Sequence, residues 1–68
     1  VFYKVTKVKQ FTCDYLVAGK VLVELKAIKE LSGIDKGQVL NYLKSTNLKL
    51  GLLLNFGDSS LEYRRVIN

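Results

Sequence analysis

The stretch DYLVAGKVLVELKAI, residues 14–28, decides how this chain folds. Two apolar runs flank Ala18, Gly19 and Lys20, and glycine supplies the backbone angles that a tight turn needs, so the stretch reads as a β-hairpin. Its first arm carries Asp14, and its second carries Glu24 and Lys26. Strand side chains alternate between faces. In the second arm Val21, Val23, Leu25 and Ala27 share one face, and Leu22, Glu24, Lys26 and Ile28 share the other. In the first arm Phe11, Cys13, Tyr15 and Val17 oppose Gln10, Thr12, Asp14 and Leu16 in the same way. With a three-residue loop Val17 pairs with Val21, and Asp14 falls opposite Glu24. A two-residue loop shifts the register by one and separates them.

On the first register one hairpin face is wholly apolar, and the other gathers Asp14, Glu24 and Lys26. Two carboxylates on directly opposed residues repel each other unless something compensates. A divalent cation compensates, and hard oxygen ligands suit Mg²⁺ or Mn²⁺; Mg²⁺ takes one or two carboxylates and completes its shell with waters and substrate phosphate. The alternative is plainer: Glu24 and Lys26 form the solvent side of an amphipathic strand, with Lys26 screening Glu24.

Outward from the hairpin, residues 1–17 favour strands throughout. A single strand of that length is improbable against a mean of about 5–6 residues. A break near Thr6 and Lys7 therefore leaves a short strand around residues 2–4 and a second around residues 8–17, with the third over residues 21–28. Ser32 followed by Asp35 resembles a capping box with Asp in place of Glu, which starts a helix near residue 35. Val39, Leu40 and Leu43 supply its apolar stripe, and Asn47 can close it in a left-handed conformation. The run LGLLLNF, residues 50–56, suits a strand buried on both faces in the middle of a sheet. Residues 61–67 form a last strand whose charges at 62, 64 and 65 suit an edge. The expected fold class is α/β (α+β), with a mixed β-sheet in the order β-β-β-α-β-β, because a helix crossover makes the strands it joins parallel.

Sixty-eight residues make one small domain, with 49% hydrophobic and 25% charged residues. No apolar run approaches the roughly 20 residues of a membrane span, and no basic-then-apolar leader opens the chain. One cysteine and no histidine exclude an internal disulfide and the usual zinc sites, which fits a reducing cytoplasm. A net charge of +5 suits a polyanionic partner such as nucleic acid. The chain has no methionine and opens on the strand-favouring Val1, Phe2 and Tyr3, which reads as a piece of a longer chain. Further along, Gln38 and Tyr42 stand four residues apart and stack on one helix face, as a site pair or as a solvated residue beside a core-rim aromatic.

Taken together, D-x9-E-x-K followed by Q-x3-Y resembles the PD-(D/E)XK nuclease superfamily, and its exonuclease branch in the Q-x3-Y element. The blocks VELKAI, QVLNYLK, LKLGLLLNFG and EYRRVIN resemble the C-terminal half of the bacterial GxxExxY proteins, which are assigned to that superfamily. The resemblance implies a restriction-endonuclease-like core, incomplete at its N-terminus because no G-x-x-E-x-x-Y helix precedes these blocks. It implies that Asp14, Glu24 and the main-chain carbonyl of Leu25 hold Mg²⁺ or Mn²⁺. Lys26 matches the lysine that positions the attacking water, and Gln38 and Tyr42 match the helix pair that orients the scissile strand. Lys44, Lys49, Arg64 and Arg65, with Lys4, Lys7 and Lys9, are candidates for phosphate contacts.

The expected function is metal-dependent hydrolysis of phosphodiester bonds, in DNA ahead of RNA. The alternative is a non-catalytic nuclease-like module that binds nucleic acid or protein. No membrane partner is expected. A homo-oligomer through exposed strand surface is, and this chain by itself is expected to cleave weakly or not at all.

Overall fold

The computed structural model describes residues 3–8, 13–57 and 59–68, with the backbone alone at Cys13. Its elements are β1 (Val5–Lys7), β2 (Cys13–Val17), β3 (Val21–Lys26), α1 (Gly33–Thr46), β4 (Leu50–Asn55) and β5 (Glu62–Ile67). The five strands lie in one sheet in chain order. Every neighbouring pair is antiparallel except β3 and β4, which α1 joins and which run parallel. The β-β-β-α-β-β order and the mixed sheet are as the sequence implies.

The turn between β2 and β3 has three residues. Ala18 and Gly19 both take left-handed backbone angles, φ 56° and 68°, and the Lys20 N–H donates to the Val17 carbonyl at 3.1 Å. Val17 accordingly pairs with Val21, and Asp14 with Glu24. The left-handed Ala18 is uncommon for a residue with a Cβ. Its N–H donates to the Lys4 carbonyl at 2.7 Å, which ties the turn to the approach of β1.

Local propensity misplaces the first strand. Thr6 and Lys7, expected as a break, lie inside β1, because Val5, Thr6 and Lys7 pair with Val17, Leu16 and Tyr15. Cross-strand pairing outweighs residue preference here. The expected strand over residues 2–4 lies partly outside the described residues, as do the beginning of the expected second strand and Lys9.

The helix begins at Gly33, two residues before the expected start near residue 35, with Ser32 as N-cap and Asp35 in its first turn. It ends at a left-handed Asn47, φ 59°, and the Leu48 N–H donates to the Leu43 carbonyl at 2.9 Å. Val39 and Leu43 are buried and face the sheet. The approach is close at Gly51, where a Cβ would lie 2.7 Å from Val39 Cγ1 and 3.4 Å from Leu43 Cδ1. With Leu22, Leu31, Leu53 and Val66, these two helix residues form the core.

Strand β4 was expected to be buried on both faces, and it is not. Gly51, Leu53 and Asn55 are buried, whereas Leu50, Leu52 and Leu54 are half-buried. The reason is that α1 covers one face only, and ladder partners point to the same side. The covered face is the charged one: it carries Asp14, Glu24 and Lys26 beside Leu22, Leu53 and Val66. The open face carries Val17, Val21, Val23, Leu25 and the three half-buried leucines, with Lys7 and Arg65 at its two edges.

Candidate active site

The site grows out of the hairpin register. Asp14 and Glu24 sit directly opposite each other at the centre of the sheet, and both are buried, Asp14 completely and Glu24 with 7% of its surface exposed. Lys26 follows on the same face at the end of β3. Its Nζ lies 3.8 Å from Glu24 Oε1 and 3.6 Å from Asp35 Oδ1. The side chains of Lys26, Glu24 and Asp35 retain 22%, 10% and 14% exposure, so these charges interact at a partly shielded boundary. At an effective dielectric constant of 20, a unit pair at such distances attracts by about 4 kcal/mol before desolvation is subtracted.

The crossover loop brings Asp35 to this place. The buried Asn55 ends β4 on the covered face and makes four hydrogen bonds, two of them to the crossover loop. Its Oδ1 accepts from the N–H groups of Ile28 at 2.9 Å and Gly57 at 3.1 Å. Its Nδ2 donates to the Ile28 carbonyl at 2.8 Å and to Glu62 Oε1 at 2.9 Å. Glu62 Oε1 also accepts from the Leu31 N–H at 2.9 Å. Gly57 must lack a side chain, since a Cβ there would run into the backbone of Ile28. The start of α1 is therefore pinned beside the end of β3.

Sequence reasoning passed over Asn55 and assigned Asp35 only to the helix cap. The signal for Asn55 was present: a polar residue in phase with Gly51 and Leu53 on a buried strand face requires hydrogen-bond partners. Asp35 carried no such signal, because its contact with Lys26 depends on where the loop delivers the helix.

The remaining expected residues divide. Tyr42 is half-buried against the edge of the core, and Gln38 is exposed one turn earlier. Both fall on the helical stripe that begins at Asp35, three and seven residues on, and the Asp35 end of that stripe touches Lys26. Leu25 lies between Glu24 and Lys26 with its side chain on the open face. Arg64 pairs with Leu53 on the site face, and its Nη2 lies 3.7 Å from Glu62 Oε2. Arg65 points to the opposite face. Lys44 in the last turn of α1 and Lys49 ahead of β4 lie at the end of the sheet away from Lys26.

The donor set fits a small hard cation. Asp14 and Glu24 offer carboxylate oxygens within one enclosed face, and among the described residues no group of three or more His, Cys, Asp or Glu converges. Two carboxylates suffice for Mg²⁺, which keeps several waters, and fall short of the ligands that zinc requires.

A mixed five-stranded sheet, one helix among the described residues packed against β4 and β5, and two opposed carboxylates on β2 and β3 with a lysine two residues after the second define a restriction-endonuclease-like, nuclease-like domain. Comparison with known families agrees: the profile of the PD-(D/E)XK nuclease superfamily matches residues 1–66. The chain belongs to that superfamily. No curated protein and no solved structure is detectably similar to it. Among the described residues, no helix is long and apolar enough to cross a membrane.

Asp35 makes the site sensitive to acid. Its carboxyl is held below the ordinary value of 3.8, first by the hydrogen bond from the Ser32 backbone N–H, then by the Ser32 hydroxyl and the Lys26 charge, against the opposing push of burial. A depressed folded-state pKa contributes stability that is present above the unfolded value and is lost as pH falls through the folded one. Urea unfolding followed from neutral pH to below pH 3.8 should show a steeper loss in the wild type than in Asp35→Asn. Parallel acid limbs would contradict this assignment.

Proposed function

We propose that this domain hydrolyses phosphodiester bonds of nucleic acid, DNA ahead of RNA, in a Mg²⁺- or Mn²⁺-dependent site. The observation that carries this reading is the opposed, buried pair of Asp14 and Glu24 with Lys26 on the same face. Asp14, Glu24 and the Leu25 carbonyl would hold the cation. When bound, it supplies Lewis-acid polarisation of the phosphate and lowers the pKa of a coordinated water. Lys26 places a positive charge at the rim of the site, where it can hold the attacking water and stabilise charge that develops on the phosphoryl oxygens. Gln38 and Tyr42 would orient the scissile strand from the helix stripe that starts at Asp35. Arg64 on the site face would contact phosphate nearby, with Lys44, Lys49 and Arg65 serving the backbone farther away. Within the superfamily we assign the chain to the bacterial GxxExxY branch, as a cytoplasmic domain.

A second reading, a nuclease-like module that binds nucleic acid or protein without cleaving, draws on one observation. Among the described residues the carboxylate set stops at two, and Lys26 is already engaged by Glu24 and Asp35.

The deciding assay is turnover of labelled single- and double-stranded substrates by the intact protein, with and without chelator. We expect metal-dependent cleavage that Lys26→Ala abolishes without unfolding the protein, while metal binding persists or strengthens as a competing cation is removed. Activity surviving both chelation and Lys26→Ala would overturn the metal-nuclease reading. Binding of nucleic acid without turnover would favour the module.

We also propose that the open sheet face is covered by a second copy of the chain. Five strands about 4.8 Å apart and three rows of side chains about 7 Å apart make a face of roughly 24 by 20 Å. Pairing two such faces removes roughly 1,000 Å² from water, near the lower limit for a stable interface. Sedimentation velocity should show a dimer that Leu52→Lys dissociates. A monomer across the accessible concentration range would rule the pairing out.

A further inference from the structure

We infer that Asp35 is a positioning residue for Lys26, an inference that rests on the nuclease reading above and adds a residue to it. The two oxygens of Asp35 have separate partners. Oδ2 accepts from the Ser32 N–H at 2.8 Å and from the Ser32 hydroxyl at 3.0 Å, which completes its part in the helix cap. Oδ1 is not needed for capping, and it faces Lys26 Nζ at 3.6 Å. A side chain that only started the helix would have no reason to reach this ammonium.

The second observation is where Asp35 stands. Glu24, the other carboxylate near Lys26, is on the same strand and is also a candidate cation ligand. A cation held by Asp14 and Glu24 draws Glu24 towards itself and repels the ammonium. Asp35 belongs to a different element, and its first turn is held by the Asn55 and Glu62 bonds to the crossover loop. It keeps its place when Glu24 changes partner. A lysine has a flexible four-carbon stem and three rotatable donors, so a fixed anion is what keeps its ammonium at one point. Losing that anion leaves substrate binding largely intact and misplaces the group used in the chemical step.

The test uses the intact protein in three single variants. Asp35→Asn keeps an oxygen for the Ser32 N–H and removes the charge. Ser32→Ala weakens the cap and leaves Oδ1 where it is. Asp35→Glu returns the charge at longer reach. We expect Asp35→Asn to lower kcat by about 10- to 100-fold with KM within twofold, as misplacement by about 1 Å commonly does. Ser32→Ala should stay near wild type, and Asp35→Glu should recover part of the loss. If Asp35→Asn does not fold, Asp35→Ser serves the same comparison.

A second readout needs no turnover: the ¹⁵N spectrum of the Lys26 ammonium in the presence of Mg²⁺. It should show an ordered, slowly exchanging signal in the wild type that Asp35→Asn loses and Ser32→Ala keeps. An unchanged kcat with an unchanged Lys26 signal in Asp35→Asn overturns the inference, and so does an equal loss in Ser32→Ala, which would make Asp35 a cap alone. Should the wild type cleave nothing, the nuclease reading falls by itself. The ammonium spectrum then still decides whether Asp35 holds Lys26.

Discussion

Two carboxylates face each other across adjacent strands on the sheet face that carries α1, and burying such a pair is the constraint that the rest of this small domain must meet. The pairing follows from a turn of three residues. Ala18 and Gly19 accept left-handed angles, Val17 meets Val21, and three positions further along the ladder Asp14 meets Glu24. A turn one residue shorter would put every side chain of one arm on the other face. The placement of like charges is therefore a property of the turn as much as of the residues that bear them.

The covered position makes the repulsion consequential. On an open strand face, water would screen Asp14 and Glu24; on the covered face they are buried, and Lys26, 3.8 Å from Glu24 Oε1, is shared with Asp35. Asn55 and Glu62 hold the crossover loop so that the helix starts beside the end of β3, and Gly51 lets that helix approach β4 closely. The same packing that builds the core thus encloses the charged cluster. A bound divalent cation would convert the cost of two opposed anions into a ligand set, which is the chemistry of the superfamily to which the chain belongs.

Much of this was legible in the sequence because the relevant interactions are local. The alternation within residues 14–28, the glycine turn, the Ser32 and Asp35 pair and the left-handed Asn47 all act within a few residues of one another. What depended on long-range placement was not legible. Alternation shows that a strand has two faces but not which one a helix will cover, so β4 looked doubly buried and the face of Asp14, Glu24 and Lys26 read equally as a solvent side or a cation site. The limits of β1 were set by pairing with β2, against the preference of Thr6 and Lys7. Arg64 and Arg65 looked equivalent until β5 took its register and sent them to opposite faces. Asp35 read as a cap, and its second oxygen acquired meaning only when the loop delivered it to Lys26.

The central claim is that Asp14 and Glu24 together hold a divalent cation, and thermal unfolding with and without Mg²⁺ tests it most directly. A ligand that binds only the folded state raises its stability in proportion to the logarithm of its concentration above Kd. The account predicts that Mg²⁺ raises the wild-type Tm and leaves that of Asp14→Asn unchanged. A wild-type Tm indifferent to both Mg²⁺ and Mn²⁺ would contradict it.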